Sequence, residues 1–233
     1  MKLFYHPNIE GQKEFVVEEE EAKHLRVLRI GEVDDIYFTD GRGLLALCRI
    51  ILDKKQTHVR VVEITRHQPA TPSLTVMVAP TKNSDRMEWF VEKAVELGIH
   101  KIIFAFTANS ERPYLKPERI KRVAISAMKQ SLKYYLPEIE IAGQFLKDDK
   151  PEFSGAKLIA HCNDTFDRKN LFDQLQNNTD TLIAIGPEGD FNAEEITKAQ
   201  NLGYRGISMG ENRLRTETAA LYAVMAFNLK NQA

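Results

Sequence analysis

From residue 74 onward, short apolar runs alternate with segments of helical period, and this rhythm constrains the fold more than any other feature of the chain. The runs at 74–79, 101–106, 157–161, 181–185 and 206–209 read as buried strands. The segments at 84–97, 117–134, 169–176, 193–202 and from 216 onward read as helices. In 84–97, Met87, Phe90, Val91, Ala94 and Val95 share one face, and Gly98 stands where a helix stop belongs. Strands joined through helices pair in parallel, so residues 74–233 predict an α/β domain whose mainly parallel sheet is covered on both faces. Ligands of such sheets sit outside the carboxyl ends of the strands, which singles out the loops after 161, 185 and 209.

Residues 1–68 read differently, as a small β-rich domain. Strand-like segments fall at 2–6, 34–39, 44–51 and 58–65, with Asp40-Gly41-Arg42-Gly43 as turn chemistry between two of them. One helix interrupts them, from Glu18 to the region of Leu28, with acids in its first turn and bases in its last. Ala22 and Leu25 mark its apolar face, and Arg29 falls on that side at helical spacing. Either the helix has ended by then or a partner holds the arginine. The run Gln68-Pro69-Ala70-Thr71-Pro72-Ser73 breaks the pattern and is the expected boundary between domains 1–68 and 74–233.

Composition excludes several classes. Apolar residues make up 43 % and charged residues 28 %, which is ordinary globular material. The longest apolar run, 219–227, is far short of the roughly 20 residues a membrane span needs. The N-terminus has no apolar block followed by a cleavage site, so no secretion signal is expected. Cys48 and Cys162 lack paired spacing, which argues against a disulfide framework and against a zinc site, so no metal is expected. The expected location is the cytoplasm. Net charge is only −1, yet Arg112, Lys116, Arg119, Lys121, Arg122, Lys129 and Lys133 face a single acid, Glu118, between 112 and 133. Such a stripe either contacts phosphates or is a solvated helix face.

Two loops carry the chemistry. Gly186-Pro187-Glu188-Gly189-Asp190-Phe191-Asn192 follows an apolar strand, and Asn192 with Glu195 has capping-box spacing. The loop matches neither the dinucleotide nor the P-loop fingerprint, so a nucleoside ligand without phosphate fits it better than a phosphate. The second, Met209-Gly210-Glu211-Asn212-Arg213-Leu214-Arg215-Thr216-Glu217-Thr218-Ala219, packs two arginines, acids and threonines between a buried strand and an apolar helix. That helix has almost no polar face, so it predicts burial on all sides, most simply against a second copy in a symmetric homodimer.

These two loops resemble the C-terminal signatures of the RsmE family, N3-uridine methyltransferases of 16S ribosomal RNA in the SPOUT superfamily. His24-Leu25 with Leu28-Arg29, Glu96-Leu97-Gly98, Ser110-Glu111-Arg112 and Gln130-Ser131 extend the resemblance over nearly the whole chain. The resemblance implies an α/β C-terminal SPOUT domain with a trefoil knot and a small N-terminal PUA-like β-barrel that binds RNA. It implies S-adenosyl-L-methionine as the cofactor, bent among the loops after 161, 185 and 209. Its expected contacts are His161, Gly186, Pro187, Glu188, Gly189, Met209, Gly210, Asn212, Leu214, Arg215 and Thr218. The implied partners are 16S rRNA or the small ribosomal subunit and a second copy in a homodimer. Lys23, His24, Arg26, Arg29, Arg112, Arg119, Arg122 and Lys133 are the expected RNA contacts. Asp190 stands where the family commonly has a third glycine, Lys133 where arginine is usual, and Met209 where leucine is common.

The implied reaction is in-line methyl transfer to N3 of a uracil, which must first lose a weakly acidic proton. A cation near O2 or O4 would stabilise the anion, with Arg112 or Arg215 in that role. Glu217 would orient an arginine or help pass the proton. The alternatives are methylation of another RNA position, such as a ribose 2′-hydroxyl, and a non-enzymatic RNA-binding or assembly factor.

Overall fold

The structure is a computed structural model that describes residues 1–31, 34–52, 56–111, 115–146 and 153–231. Its contacts divide the chain into two units, residues 1–69 with 125–136 and residues 70–124 with 137–233.

The first unit holds β1 (Leu3–Tyr5), β2 (Glu14–Val16), α1 (Glu19–Val27), β3 (Ile36–Thr39), β4 (Leu44–Leu52) and β5 (Thr57–Arg66). They form one sheet in the order β1-β3-β4-β5-β2, with β3, β4 and β5 antiparallel and β1 parallel to β3. The strands close over Phe4, Ile9, Phe15, Ile36, Phe38, Leu44 and Val59. The sequence pattern does not reveal β2, because it is three residues long and buries only Phe15. Helix α1 buries Ala22 and Leu25 and stops at Val27, with Arg29 in left-handed backbone at φ 52° and exposed. The helix has therefore ended before Arg29. Residues 125–136 join this unit through a partly buried Lys129–Glu21 ion pair and through Gly43 N–H donating to the Tyr134 carbonyl at 2.9 Å. Burial pushes the Cys48 thiol up to about 12, so this cysteine is inert packing.

The second unit holds β6 (Leu74–Val78), α2 (Ser84–Leu97), β7 (Lys101–Phe106), α3 (Pro117–Gln130, its last turns counted with the first unit), β8 (Glu138–Gln144), β9 (Ala156–Ala160) and β10 (Lys169–Asn170). It continues with α4 (Leu171–Gln174), β11 (Thr181–Ile185), α5 (Ala193–Asn201), β12 (Arg205–Ser208) and α6 (Thr216–Asn231). The sheet order is β10-β12-β9-β11-β6-β7-β8, and every neighbouring pair is parallel. Strands β6 and β11 are buried at all five positions each, as expected for a sheet covered on both faces. Gly98 ends α2 in left-handed backbone at φ 89°.

Three details differ from the sequence reading. The segment 169–176 is not one helix: Lys169–Asn170 pairs as β10, and the Asn170 side chain then caps a single turn, α4. Helix α3 ends at Gln130 rather than 134, where Leu132 takes φ 54°. Strand β8 is new; Ile139 and Ile141 alternate with Glu138 and Glu140 on a half-exposed edge, so it lacks the solid apolar run of its neighbours.

Candidate active site

Because the sheet is parallel, the carboxyl ends of its strands share one edge. The order β12-β9-β11-β6-β7 sets side by side the loops that begin at residues 209, 161, 186, 79 and 107. Adjacency in the sheet, not in the sequence, is what gathers them.

Hydrogen bonds tie these loops together. The Asp190 carboxylate accepts the N–H of Cys162 at 2.7 Å and that of Phe191 at 2.8 Å, joining the loops after β9 and β11. Asp190 takes φ 60°, a left-handed conformation that Asp tolerates better than most side chains and glycine adopts freely. Asn109 Nδ2 donates to the carbonyls of Gly189 and Asp190, each at 3.0 Å, bringing in the loop after β7. The Thr216 hydroxyl donates to the Gly186 carbonyl, bringing in the start of α6. The capping box forms: Asn192 accepts from Glu195 N–H at 2.8 Å, and Glu195 accepts from Asn192 N–H at 3.0 Å and from Ala108 N–H at 2.8 Å.

Two groups stand out electrostatically. His161 is buried, and its ring nitrogens make no hydrogen bond of good geometry among the described residues, the Asn163 backbone being a nearby polar group. Burial holds its imidazole below the usual histidine range; the nearby Asp190 charge opposes that shift and Arg168 adds to it. Strand β12 approaches so closely that a Cβ on Gly206 would lie 2.8 Å from His161 Nε2 and 2.3 Å from the Asp167 carbonyl oxygen, which requires glycine there. Glu217 is also buried, with Oε2 unpartnered among the described residues and Oε1 3.7 Å from Arg86 Nε.

Arg86 lies in the first turn of α2, and its Nη1 is 3.6 Å from Glu188 Oε1. It therefore stands between the two signature loops. A cleft of about 690 Å³ opens beside it, lined by Lys82, Asn83, Ser84, Arg86, Asn109, Glu111, Glu188 and Gly189. Lys82 and Glu111 pair at 3.0 Å, both largely exposed. Sequence reasoning missed Lys82, Asn83 and Arg86, and it reads Asn109 only as part of a surface loop, 109–112, after the strand at 101–106. The one available signal for Lys82, Asn83 and Arg86 is their position after the carboxyl end of β6, a strand end that the loops at 161, 185 and 209 leave out.

Of the expected cofactor contacts, His161, Gly186 and Pro187 are buried, Met209 and Leu214 are half-buried, and Glu188, Gly189, Gly210, Asn212, Arg215 and Thr218 are exposed. All lie in the loops along this edge or in the first turn of α6. Among the expected catalytic residues, Glu217 is buried, Arg215 is exposed without an ion pair among the described residues, and Arg112 lies outside them. The expected RNA contacts divide by partner. Lys23 and Arg26 both reach Glu19, and His24 stands 3.9 Å from Glu21. Arg119 is held by Glu88 at 2.6 Å and by Asp85 at 3.7 Å. Arg29, Arg122 and Lys133 have no ion pair among the described residues and are available to an outside anion. Among those residues no helix is long and apolar enough to cross a membrane, and no three His, Cys, Asp or Glu side chains are grouped to hold a metal ion.

Residues 68–228 match the family described as RNA methyltransferase domain, and residues 17–62 match the RNA methyltransferase PUA domain. A crystal structure of a probable rRNA-methyltransferase from Porphyromonas gingivalis matches with a TM-score of 0.91 and 39 % identity, covering 100 % of this chain and 99 % of that one. The ribosomal RNA small subunit methyltransferase E from Neisseria gonorrhoeae, solved bound to S-adenosyl methionine, matches at 0.84 and 25 % identity, covering 99 % and 98 %. The protein of that name from Rickettsia conorii is 30 % identical over 198 residues, 82 % of this chain and 78 % of that one. The fold and the looped edge are thus those of an RNA methyltransferase carrying a PUA domain. Within that class, the chain belongs to the RsmE family.

Proposed function

We propose that this protein transfers a methyl group from S-adenosylmethionine to N3 of a uridine in the 16S ribosomal RNA of the small subunit. One observation carries the reading: the loops after β9, β11 and β12 leave one edge of the sheet, with Asp190 cross-linking the first two and Thr216 joining the start of α6 to the second. The residues present fit the cofactor. His161 brings two buried ring nitrogens to the loop after β9. The 186–189 and 209–214 stretches bring backbone groups and glycines to the same edge of the sheet, which suits a nucleoside ligand without phosphate. His161, Gly186, Pro187, Glu188, Gly189, Met209, Gly210, Asn212, Leu214, Arg215 and Thr218 are the residues that would hold it. When bound, S-adenosylmethionine supplies an electrophilic methyl on a sulfonium, a good leaving group that needs no metal.

The protein's own task is the N3 proton. Glu217, buried beside Arg86, would orient that arginine, and Glu188, which lines the cleft, is a carboxylate within reach of the proton. A cation beside O2 or O4 stabilises the imide anion left behind, with Arg112 and Arg215 the two candidates from the sequence. Arg29, Arg122 and Lys133, with Lys23, His24, Arg26, Arg112 and Arg119, bind the RNA backbone, and the cost of unstacking the target base is met by these contacts.

The reading includes a cytoplasmic homodimer and a trefoil knot closed by α6. For the dimer, the support is a row of apolar side chains left open on α6: Tyr222 at 41 %, Met225 at 48 % and Leu229 at 62 % exposure. The test is to add the protein and a labelled methyl donor to small subunits lacking the modification and to locate the label by mass spectrometry. Label on uracil N3 of 16S RNA is expected. Label on a ribose 2′-oxygen, or none, ends this reading.

A further inference from the structure

We propose that Arg86 is the cation that receives the uracil charge, and that the cleft it lines seats the target base. The proposal rests on the methyl-transfer reading above. In the step concerned, the N3–H bond breaks, the proton passes to a carboxylate that lines the cleft, such as Glu188, and the electron pair stays on the ring, spreading to O2 and O4. Stabilising that anion needs a fixed positive charge with N–H donors still free to reach an oxygen.

Arg86 meets each condition. Its side chain is 34 % exposed, so it is held but still reaches the cleft. Glu217 and Glu188 fix it from two sides at 3.7 and 3.6 Å. Both distances exceed hydrogen-bond length, and the guanidinium makes no other hydrogen bond among the described residues, so its five donors remain unspent. Its position in the first turn of α2 adds the positive end of a 14-residue helix. Glu217 thus has the orienting function of the two the sequence allowed: its Oε1 faces Arg86, and its Oε2 is buried outside the cleft lining. Two other cations fit less well: Lys82 is 80 % exposed and already paired with Glu111, and Arg215 is exposed with no ion pair among the described residues. The cleft, about 690 Å³, lies within the range of small-ligand sites, and Asn83 and Asn109 add amides that can meet a base edge.

The test compares Arg86→Met and Arg86→Lys with wild type on two RNAs, one with uridine and one with 5-fluorouridine at the target. Fluorine makes N3 more acidic, so a cation that stabilises the anion matters less on the second RNA. On uridine RNA, Arg86→Met is expected to lower kcat about 100-fold or more, as loss of an oxyanion donor does, with Arg86→Lys in between. On 5-fluorouridine RNA the defect of both variants shrinks about tenfold, while the Kd of S-adenosylmethionine by calorimetry moves less than about threefold. If either variant shows the same defect on both RNAs, or if Arg86→Met retains wild-type turnover, Arg86 does not face the anion and the proposal falls. If Arg86→Met does not fold, the Arg86→Lys comparison alone decides it. Wild-type protein that labels neither RNA overturns the methyl-transfer reading together with this one, whereas active wild type with an unchanged variant defect overturns this one alone.

Discussion

The Thr216 hydroxyl donates to the Gly186 carbonyl at 3.1 Å in a buried setting, so the first residue of α6 is bonded to the first residue of the loop after β11. Thr216→Val keeps the shape and removes the donor, leaving a buried carbonyl without its partner. We expect a loss of about 1–3 kcal/mol in urea unfolding and weaker binding of S-adenosylmethionine, with Thr216→Ser close to wild type. Equal stability of the valine and serine variants would remove this bond from the account of the site.

Asp190 combines a left-handed backbone with two N–H groups accepted by its carboxylate. Asparagine keeps an acceptor and tolerates that conformation, whereas alanine does neither. Asp190→Ala should therefore cost about 1–3 kcal/mol, and Asp190→Asn much less. Denaturant midpoints of the two variants give the comparison; the reverse order would show that charge, not conformation and capping, is what the position needs.

Burial keeps His161 neutral, and this has a pH signature. Its folded pKa lies below the ordinary 6.5, so the unfolded chain binds more protons just under that value. The fold is unaffected by this group above about pH 6.5 and loses stability as pH falls below it. His6 is lowered by burial too, so His161→Gln should flatten the decline between about pH 7 and 5 without abolishing it. Urea midpoints across that range measure the slope, and an unchanged slope in the variant contradicts the prediction.

The open row on α6 gives a simple test of assembly. Met225 is half exposed and already in contact with solvent, so Met225→Glu costs the subunit little by itself. In a dimer closed over that row it buries an unpaired charge. We expect wild type at twice the chain mass in light scattering and Met225→Glu at the chain mass; two species of equal size would move the interface elsewhere.

Legibility in the sequence tracked how much of an element's burial its own residues declare. Strands β6, β7 and β11 are solid apolar runs and were readable; β2 and β10, at three and two residues, carry no period. The capping box was visible because Asn192 and Glu195 are three apart. Arg86 was not, because the carboxylates that fix it are 102 and 131 positions away and reach it only once β11 lies beside β6. The apolar character of α6 is legible in the sequence, and the single chain covers only part of it. Ala220, Ala223, Val224 and Phe227 are covered, and Tyr222, Met225 and Leu229 are not.

The register of β6 against β11 pairs Leu74 with Thr181, more than a hundred positions apart. During synthesis β6 can find β7 as soon as both leave the ribosome, but its other edge stays open until residues 181–185 arrive. Long-range parallel pairing of this kind is slow to form. Every loop that would grip the methyl donor, apart from the one at 161, is made later still. A nascent chain therefore lacks a complete set of donor-binding loops until residues 209–218 are made, and it carries an unsatisfied β6 edge while residues up to 181 are being added.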